Sequence, residues 1–170
     1  SYDSHGRETG HRTKTLRQAF REDGSTEFEV ETIETVSSIT YNSKGWKISD
    51  GTIVRSSDQP DLEIRVRRFN ASLDRRGILD GYTEMRDFKD VKSSLLNYSV
   101  ETRFEFGYNS VFARIAESRD VFQSDRSGWT QHVDIRYEYN AFGLQTGQSR
   151  REIEKGKDDT GKIILNRITH

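Results

Sequence analysis

The chain has 170 residues, of which 31% are hydrophobic and 11% aromatic, and its 27 basic and 28 acidic side chains leave a formal net charge of −1. The hydrophobic share is too small for a thick globular core, whereas the aromatic share argues against disorder. The balanced charge gives no electrostatic basis for binding nucleic acid or an anionic membrane, and the absence of cysteine excludes disulfides and thiolate metal sites.

Alternating side chains predict β-strands along most of the chain. Residues 26–41 alternate with a change of parity near Thr32, which predicts a bulge or a bend there. Further strands are predicted at 62–66, 98–108, 132–139 and 162–168. Segments 13–20 and 85–96 also show some helical spacing, so a helix is the alternative at these two places.

An aromatic residue followed directly by Asn or Asp occurs at five places in the chain. The pairs are Tyr2-Asp3, Tyr41-Asn42, Phe69-Asn70, Tyr108-Asn109 and Tyr139-Asn140, and glycine follows in three of them as Gly6, Gly45 and Gly143. Asn, Asp and Gly accept left-handed backbone or bond to their own backbone, so each pair predicts a chain reversal. We expect the rings to pack the turn ends and the following Asn or Asp to bond its turn.

The spacing of the five pairs indicates a repeat protein. They begin at residues 2, 41, 69, 108 and 139, so every second pair is separated by 67, 67 or 70 residues. Return strands are expected at 46–55, 78–88, 112–122 and 144–153, and polar connections at 21–25, 56–61, 124–128 and 154–161. The prediction is an all-β fold of tandem antiparallel hairpins, forming an extended or curling sheet over 1–170 as one array, in an excerpt of a longer chain.

The turn motifs resemble a known family. Tyr2-Asp3-Ser4-His5-Gly6-Arg7 with Thr9-Gly10 is similar to the YD repeats of RHS-type bacterial surface and toxin proteins, as are 139–147 and 41–45. Asn replaces Asp in four of the five pairs, glycine is lost at Leu73 and Phe112, and the steps are longer and less even than in that family. The resemblance implies hairpins laid side by side in a long sheet, used as a fibre, a surface stalk or the wall of a hollow shell.

The residue types that perform chemistry form no recognisable site. The four histidines, His5, His11, His132 and His170, lack metal-ligand spacing, and the acid pairs Glu101/Glu105 and Asp134/Glu138 lie on polar strand faces. Residues 156–162 have the outline of a phosphate loop, but Ile163 stands where Ser or Thr must reach magnesium, so a polar hairpin turn is predicted. We expect no catalytic residue, no metal and no cofactor.

Two tryptophans supply the alternative function. Trp46 and Trp129 each follow a glycine near a predicted turn, where a ring could stack on a sugar, although covering the thin core is the preferred interpretation. The expected function is a non-enzymatic structural or adhesive repeat module of a bacterial cell-surface or secreted fibre. A carbohydrate-binding β-sandwich is the alternative, and an enzyme on a β-barrel is the least favoured. The expected partners are neighbouring repeats, further copies of the chain or a glycan, without membrane insertion.

Overall fold

A computed structural model describes residues 1–93, 95–111, 113–126, 128–157, 160 and 162–169. These residues form ten strands: β1 (His11–Phe20), β2 (Thr26–Tyr41), β3 (Lys47–Ser56), β4 (Gln59–Leu73), β5 (Leu79–Asp90), β6 (Leu96–Tyr108), β7 (Arg114–Gln123), β8 (Thr130–Tyr139), β9 (Gln145–Lys157) and β10 (Ile163–Thr169). The all-β class is confirmed. The helical alternatives at 13–20 and 85–96 are wrong: residues 13–20 lie in β1, residues 85–90 lie in β5, and β6 begins at residue 96.

The ten strands form one antiparallel sheet whose order is the order of the chain. Each of the strands β2 to β9 therefore pairs with the strand before it and the strand after it, which confirms the prediction of tandem hairpins. Pairing between β8 and β9 runs from Thr130 opposite Lys155 to Tyr139 opposite Gln145. Such a meander places successive turns alternately at the two ends of the strands.

The bulge predicted near Thr32 is wrong, because Thr32 pairs in register with Thr15 of β1 and with Ser56 of β3. The irregularity in β2 lies between Ser37 and Thr40, where the register with β3 shifts and Ser38 has a φ of 56°. The buried side chains Val36 and Ile39 have opposite parity. A bulge at Ser38 is what allows both of them to point into the same side of the sheet.

Two of the predicted polar connections are shorter than expected. Only Ser57 and Asp58 separate β3 from β4, and Pro60 lies at the start of β4, where a missing amide is tolerated. At the other hairpin, β9 continues through Glu154 to Lys157, so a loop beginning at residue 154 is wrong. Polar composition misled the prediction because charged residues also occupy exposed strand positions, as Lys155 does opposite Thr130 and Asn166.

The chain divides into two compact units. Unit 1 comprises Ser1–Arg68 and Met85–Tyr98, and unit 2 comprises Phe69–Glu84 and Ser99–His170. In unit 1 the buried aliphatic side chains are Val36 and Ile39, and in unit 2 they are Val133 and Ile135. Among the described residues no large side chain is fully buried, which is the expected result when a sheet is packed largely by its own neighbouring strands.

Stacked rings supplement this thin core. In unit 2 the ring centroids of Tyr82 and Phe104 are 4.6 Å apart, and in unit 1 those of Phe88 and Tyr98 are 4.4 Å apart. Both pairs join neighbouring strands across the sheet. Cross-strand aromatic pairs of this kind are worth a fraction of a kcal/mol to about 1 kcal/mol each.

Candidate functional site

The feature that recurs most regularly is a turn closed by an Asn or Asp side chain. At Asn140 the side-chain oxygen Oδ1 accepts hydrogen bonds from the amides of Phe142 (2.9 Å) and Leu144 (3.0 Å). The backbone adds bonds from the amide of Asn140 to the carbonyl of Leu144 and from the amide of Gly143 to the carbonyl of Asn140, both 3.0 Å. Gly143 has a φ of 76°, which a residue without a Cβ adopts freely. We call this five-residue unit an Asx turn.

Three further predicted motifs form the same Asx turn. Asp3 Oδ1 accepts from the amides of residues 5 and 7, both at 2.9 Å. Asn42 Oδ1 accepts from residues 44 and 46, both at 3.0 Å, and Asn109 Oδ1 from residues 111 and 113 at 3.0 and 2.9 Å. Gly6 and Gly45 again have positive φ. The side chain therefore performs the same task in each case: it satisfies two amides that the turn leaves without a carbonyl.

The turn predicted at Phe69-Asn70 is wrong, because both residues lie inside β4. The reversal comes at Asp74, whose Oδ1 accepts from the amides of Arg76 (2.8 Å) and Ile78 (3.0 Å), with Gly77 at a φ of 87°. Asn70 instead has a φ of 55° within the strand. Asn tolerates left-handed backbone, and here that property serves a strand irregularity rather than a turn.

The signal for the missed turn was present in the sequence. Asp74-Arg75-Arg76-Gly77 repeats the spacing of Asn140 and Gly143, but Leu73 precedes it where the other motifs have an aromatic residue. With Asp74 included, the Asx residues stand at 3, 42, 74, 109 and 140, so successive steps are 39, 32, 35 and 31 residues. Long and short steps still alternate but differ less, and each step contains two strands, so the repeating unit is one hairpin.

A tyrosine hydroxyl connects an Asx turn to the hairpin before it in three places. Tyr41 donates to the carbonyl oxygen of Glu8 (2.6 Å), Tyr108 to that of Leu79 (3.1 Å) and Tyr139 to that of Arg114 (2.7 Å). In each case the tyrosine stands directly before the Asx residue, and the acceptor lies five residues after the Asx of the preceding turn. We call this contact the tyrosine bond. It gives the predicted packing residues Tyr41, Tyr108 and Tyr139 a specific polar partner.

Arginines add contacts between successive turns inside each unit. The guanidinium of Arg7 lies 4.8 Å from the centroid of the Tyr41 ring, within the range of a cation–π interaction. Arg76 donates from Nη1 to the carbonyl oxygen of Asn109 at 3.2 Å. The turn that begins at Asp3 therefore contacts the one that begins at Asn42, and the turn at Asp74 contacts the turn at Asn109.

The two Asp residues that form Asx turns have lowered pKa values. The Arg7 backbone amide is the main cause of the lowered pKa of Asp3, and the Ile78 amide is the main cause of the lowered pKa of Asp74. Amide donors favour the ionised carboxylate because it is the stronger acceptor. Asn, which fills the same position in the other three turns, has no such dependence on pH.

Two buried glutamates each meet a pair of arginines. Glu63 is 4% exposed, and its oxygens receive Arg65 Nε at 2.5 Å and Arg55 Nε at 2.9 Å. The bond from Arg65 is the main cause of the lowered pKa of Glu63. Glu117 is contacted by Arg114 at 3.1 Å and Arg119 at 2.7 Å. Each carboxylate thus has two arginine partners, an arrangement that suits a structural ion pair better than proton transfer.

The histidines do not come together in the described residues. His132 lies between two carboxylates, with Nδ1 at 2.7 Å from Asp120 and Nε2 at 3.2 Å from Asp134, and the hydrogen bond to Asp120 is the main cause of its raised pKa. The ring of His11 faces Glu8 instead. His170 and three residues of the predicted phosphate loop lie outside the described residues. In the part of the chain that is described, no group of three His, Asp or Glu residues could hold a metal ion.

The two tryptophans lie in different units and have different surroundings. Trp46 is 42% exposed at the end of the Asn42 turn, and its amide donates to Asn42 Oδ1. Trp129 is half-buried, and the guanidinium of Arg126 lies 5.6 Å from its ring centroid. All ten described strands belong to one sheet, so the two-sheet sandwich of the alternative prediction is wrong as a fold. Trp46 keeps an accessible ring.

The described residues include no helix with the length and hydrophobicity needed to cross a membrane. Neither family models nor curated proteins nor solved structures give a match to this chain. The resemblance to YD repeats therefore stays a prediction that rests on the turn motifs. Four of the five motifs close hairpin turns, and in three of them the tyrosine also bonds the preceding hairpin.

Proposed function

We propose that the chain is a non-enzymatic structural repeat module of a bacterial cell-surface or secreted fibre, stalk or shell. The observation that carries this proposal is the fivefold recurrence of the Asx turn, together with the tyrosine bond that joins three of those turns to the hairpin before them. The recurring residues of this chain form hairpin turns and contacts between hairpins. Such residues hold neighbouring hairpins in register.

Ion pairs between neighbouring strands support the same role. Lys14 Nζ lies 2.6 Å from Glu31 across β1 and β2, and Arg167 Nη2 lies 2.6 Å from Glu154 across β9 and β10. Each exposed pair contributes less than about 1 kcal/mol. Their value lies in register, since a strand that slips by one residue separates the opposite charges and places its apolar side chains on the wrong face.

The treatment of buried acids also supports a structural role. Glu63 and Glu117 are the kind of carboxylates from which an enzyme would build a general acid or base, yet each one meets two arginines. At Glu63 the hydrogen bond from Arg65 lowers the carboxyl pKa, so this residue is a poor proton donor near neutral pH. Structural ion pairing is the simpler role: Glu63 pairs with Arg55 of β3 and Arg65 of its own strand, and Glu117 pairs with Arg114 and Arg119 within β7.

Force spectroscopy tests the proposal directly. When the chain is stretched between its termini, we expect it to resist force and to open one hairpin at a time. Each step should lengthen the chain by about 110–140 Å, since a hairpin contains 31 to 39 residues at up to about 3.6 Å each. Tyr139→Phe should lower the force of one step and leave the others unchanged. Release of the whole chain in a single step, or opening without measurable resistance, would contradict the proposal.

Carbohydrate binding is the second candidate, favoured by the exposure of the Trp46 ring. A glycan array tests it with the wild-type chain, Trp46→Ala and Trp129→Ala. Loss of a glycan signal in Trp46→Ala at an unchanged melting temperature would support a sugar site at the Asn42 turn. The absence of any signal from the wild-type chain would rule against this candidate, whereas the force experiment does not depend on it.

A further inference from the structure

A small cleft in unit 1 brings three cationic side chains together around the buried carboxylate of Glu63. The cleft has a volume of about 230 Å³, and its lining residues are Arg55, Glu63, Arg65, Lys89, Asp90 and Val91. Protein sites for whole small molecules usually measure about 300–1,000 Å³. A cleft of this size therefore suits a single charged group better than a whole molecule.

Glu63 sets the positions of two of the cations. Arg55 of β3 lies opposite Glu63 in the strand register, and Arg65 follows Glu63 two residues later on the same face of β4. Oε1 of Glu63 accepts a hydrogen bond from Arg65 Nε, and Oε2 accepts bonds from Nε and Nη2 of Arg55. A buried carboxylate with both oxygens bonded thus holds two guanidinium groups side by side at the cleft.

Several donors at this cleft have no partner among the described residues. A guanidinium has five N–H groups, so Arg65 retains both Nη groups and Arg55 retains Nη1. Lys89 is half-buried and makes no hydrogen bond or ion pair within the described part of the chain. The second acid of the cleft, Asp90, is bonded to its own loop, since its Oδ1 accepts from the amide (2.7 Å) and the hydroxyl (2.9 Å) of Ser93. Unused donors therefore remain on all three cations.

The buried glutamate of unit 2, Glu117, has different surroundings. The depression beside it is lined by two further acids, Glu105 and Asp134. One of its arginines, Arg114, is covered by an aromatic ring, because the guanidinium lies 4.2 Å from the centroid of the Phe106 ring. The two buried glutamates thus share an arginine pair, and the cleft with a third cation distinguishes the site in unit 1.

We propose that the Glu63 cleft binds a tetrahedral oxyanion, a sulfate or a phosphate group. Guanidinium groups donate pairs of parallel hydrogen bonds to such groups, and the ammonium of Lys89 adds a point charge. Glu63 is a positioning residue, since it orients Arg55 and Arg65 and leaves their outer donors for the ligand. The same chemistry recognises a free ion and a sulfate ester on a sugar chain. This inference goes beyond the proposed structural role and does not depend on it.

NMR titration of the wild-type chain with sodium sulfate and with sodium phosphate, each to about 10 mM, tests the site. Sodium chloride keeps the ionic strength constant, so general screening does not change during the titration. The Nε–H signals of Arg55 and Arg65 and the side-chain signals of Lys89 should shift along one saturable curve. The Nε–H signals of Arg114 and Arg119, which pair with Glu117, are the internal control and should not follow that curve.

Lys89→Ala is the main variant because Lys89 has no partner among the described residues, so its removal breaks no contact there. It should weaken the binding of both ions by roughly 2- to 12-fold at an unchanged melting temperature. Lys44→Ala removes an exposed cation at the Asn42 turn, and this matched control should bind the ions as the wild type does. If Lys89→Ala does not fold, Lys89→Met serves instead, since it keeps the aliphatic stem without the charge.

Dextran sulfate and neutral dextran distinguish the two sources of the anion. Competition of dextran sulfate with inorganic sulfate, weakened in Lys89→Ala and absent with neutral dextran, would identify an ester on a sugar chain as a ligand. Binding of the inorganic ions without competition by the polymer would restrict the cleft to free ions.

The absence of a saturable shift at Arg65 and Lys89 in the wild-type chain would overturn the proposal. Shifts of equal size at Arg114 and Arg119 would also overturn it, because the ions would then bind to arginines in general. Equal affinity of the wild type and the folded Lys89 variant would place the anion outside the cleft and would contradict the proposal as well.

Discussion

The turn at Arg21 and the turn at Asn140 have the same backbone hydrogen bonds and differ in whether the first side chain can accept a hydrogen bond. In both, the first amide bonds the fifth carbonyl and the fourth amide bonds the first carbonyl, and the glycine at the fourth position has a φ of 80° or 76°. Asn140 adds two hydrogen bonds from its side chain, whereas Arg21 carries no acceptor, and Asp23 Oδ1 accepts the Ser25 amide at 2.8 Å instead. The backbone geometry of the turn therefore does not require an Asx residue. The Asx side chain adds two hydrogen bonds to a turn that forms without it.

The two turns lie at opposite ends of their strands: the Asn140 turn belongs to the end that carries the Asx turns, and the Arg21 turn belongs to the other end. The Asx turns repeat one design, whereas the connections at the other end vary: β3 and β4 are joined by two residues, and Asp90 bonds Leu95 across a longer loop. The three tyrosine bonds all lie beside Asx turns. The uniform end is thus also the end at which neighbouring hairpins bond to each other, which is a reason for its turns to be alike.

The largest expected effect comes from the feature that both turns share. Gly143→Val and Gly24→Val should each lower the free energy of unfolding by about 1–3 kcal/mol, because a β-branched residue is strained at positive φ. A Cβ at either glycine meets no atom within 4 Å, so the backbone alone determines the cost. Urea denaturation of the two variants measures it. Markedly unequal losses would show that the two backbones are not equivalent.

Removing the side-chain acceptor should affect only one of the two turns. Asn140→Ala should lower the free energy of unfolding by about 1 kcal/mol, since the amides of Phe142 and Leu144 lose their partner. Arg21→Ala is the matched control and should have an effect near zero. Thermal melting of both variants measures the difference, and an unchanged melting temperature for Asn140→Ala would remove the proposed role of the side chain.

The comparison also shows what the sequence could predict. Period-two alternation predicted the strands because it reports directly which face of a strand is covered, and the Asn and Gly residues predicted the turn at Asn140 because their backbone preferences are local. The turn at Asp74 was missed because Leu73 lacks the ring used to find the others. No local pattern could predict that Tyr139 bonds Arg114, because the register between β7 and β8 decides which carbonyl lies within reach.

A side-chain acceptor introduced at Arg21 should convert the plain turn into an Asx turn. Arg21→Asn should raise the free energy of unfolding by about 0.5 kcal/mol, less than Asn140→Ala loses, because the Ser25 amide already has Asp23 as a partner. Urea denaturation measures the gain. The gain should grow in the Asp23→Ala background, where that amide lacks its competing acceptor. A loss of stability in both backgrounds would mean that the new side chain does not reach the turn amides.

The smallest expected effect is a dependence on pH that a turn closed by Asp has and a turn closed by Asn lacks. The folded pKa of Asp74 is lowered below its ordinary value of 3.8, so its contribution to stability is present above the unfolded pKa and is lost as the pH falls through the folded pKa. NMR titration should show the amides of Arg76 and Ile78 shifting together with the Asp74 carboxyl group at a pH below 3.8. The amides of Val111 and Ala113, which bond Asn109, should show no such step. Asp74→Asn should abolish the step and keep the turn, whereas an Asp74 carboxyl that titrates at or above 3.8 would show that the two amides do not stabilise its charge.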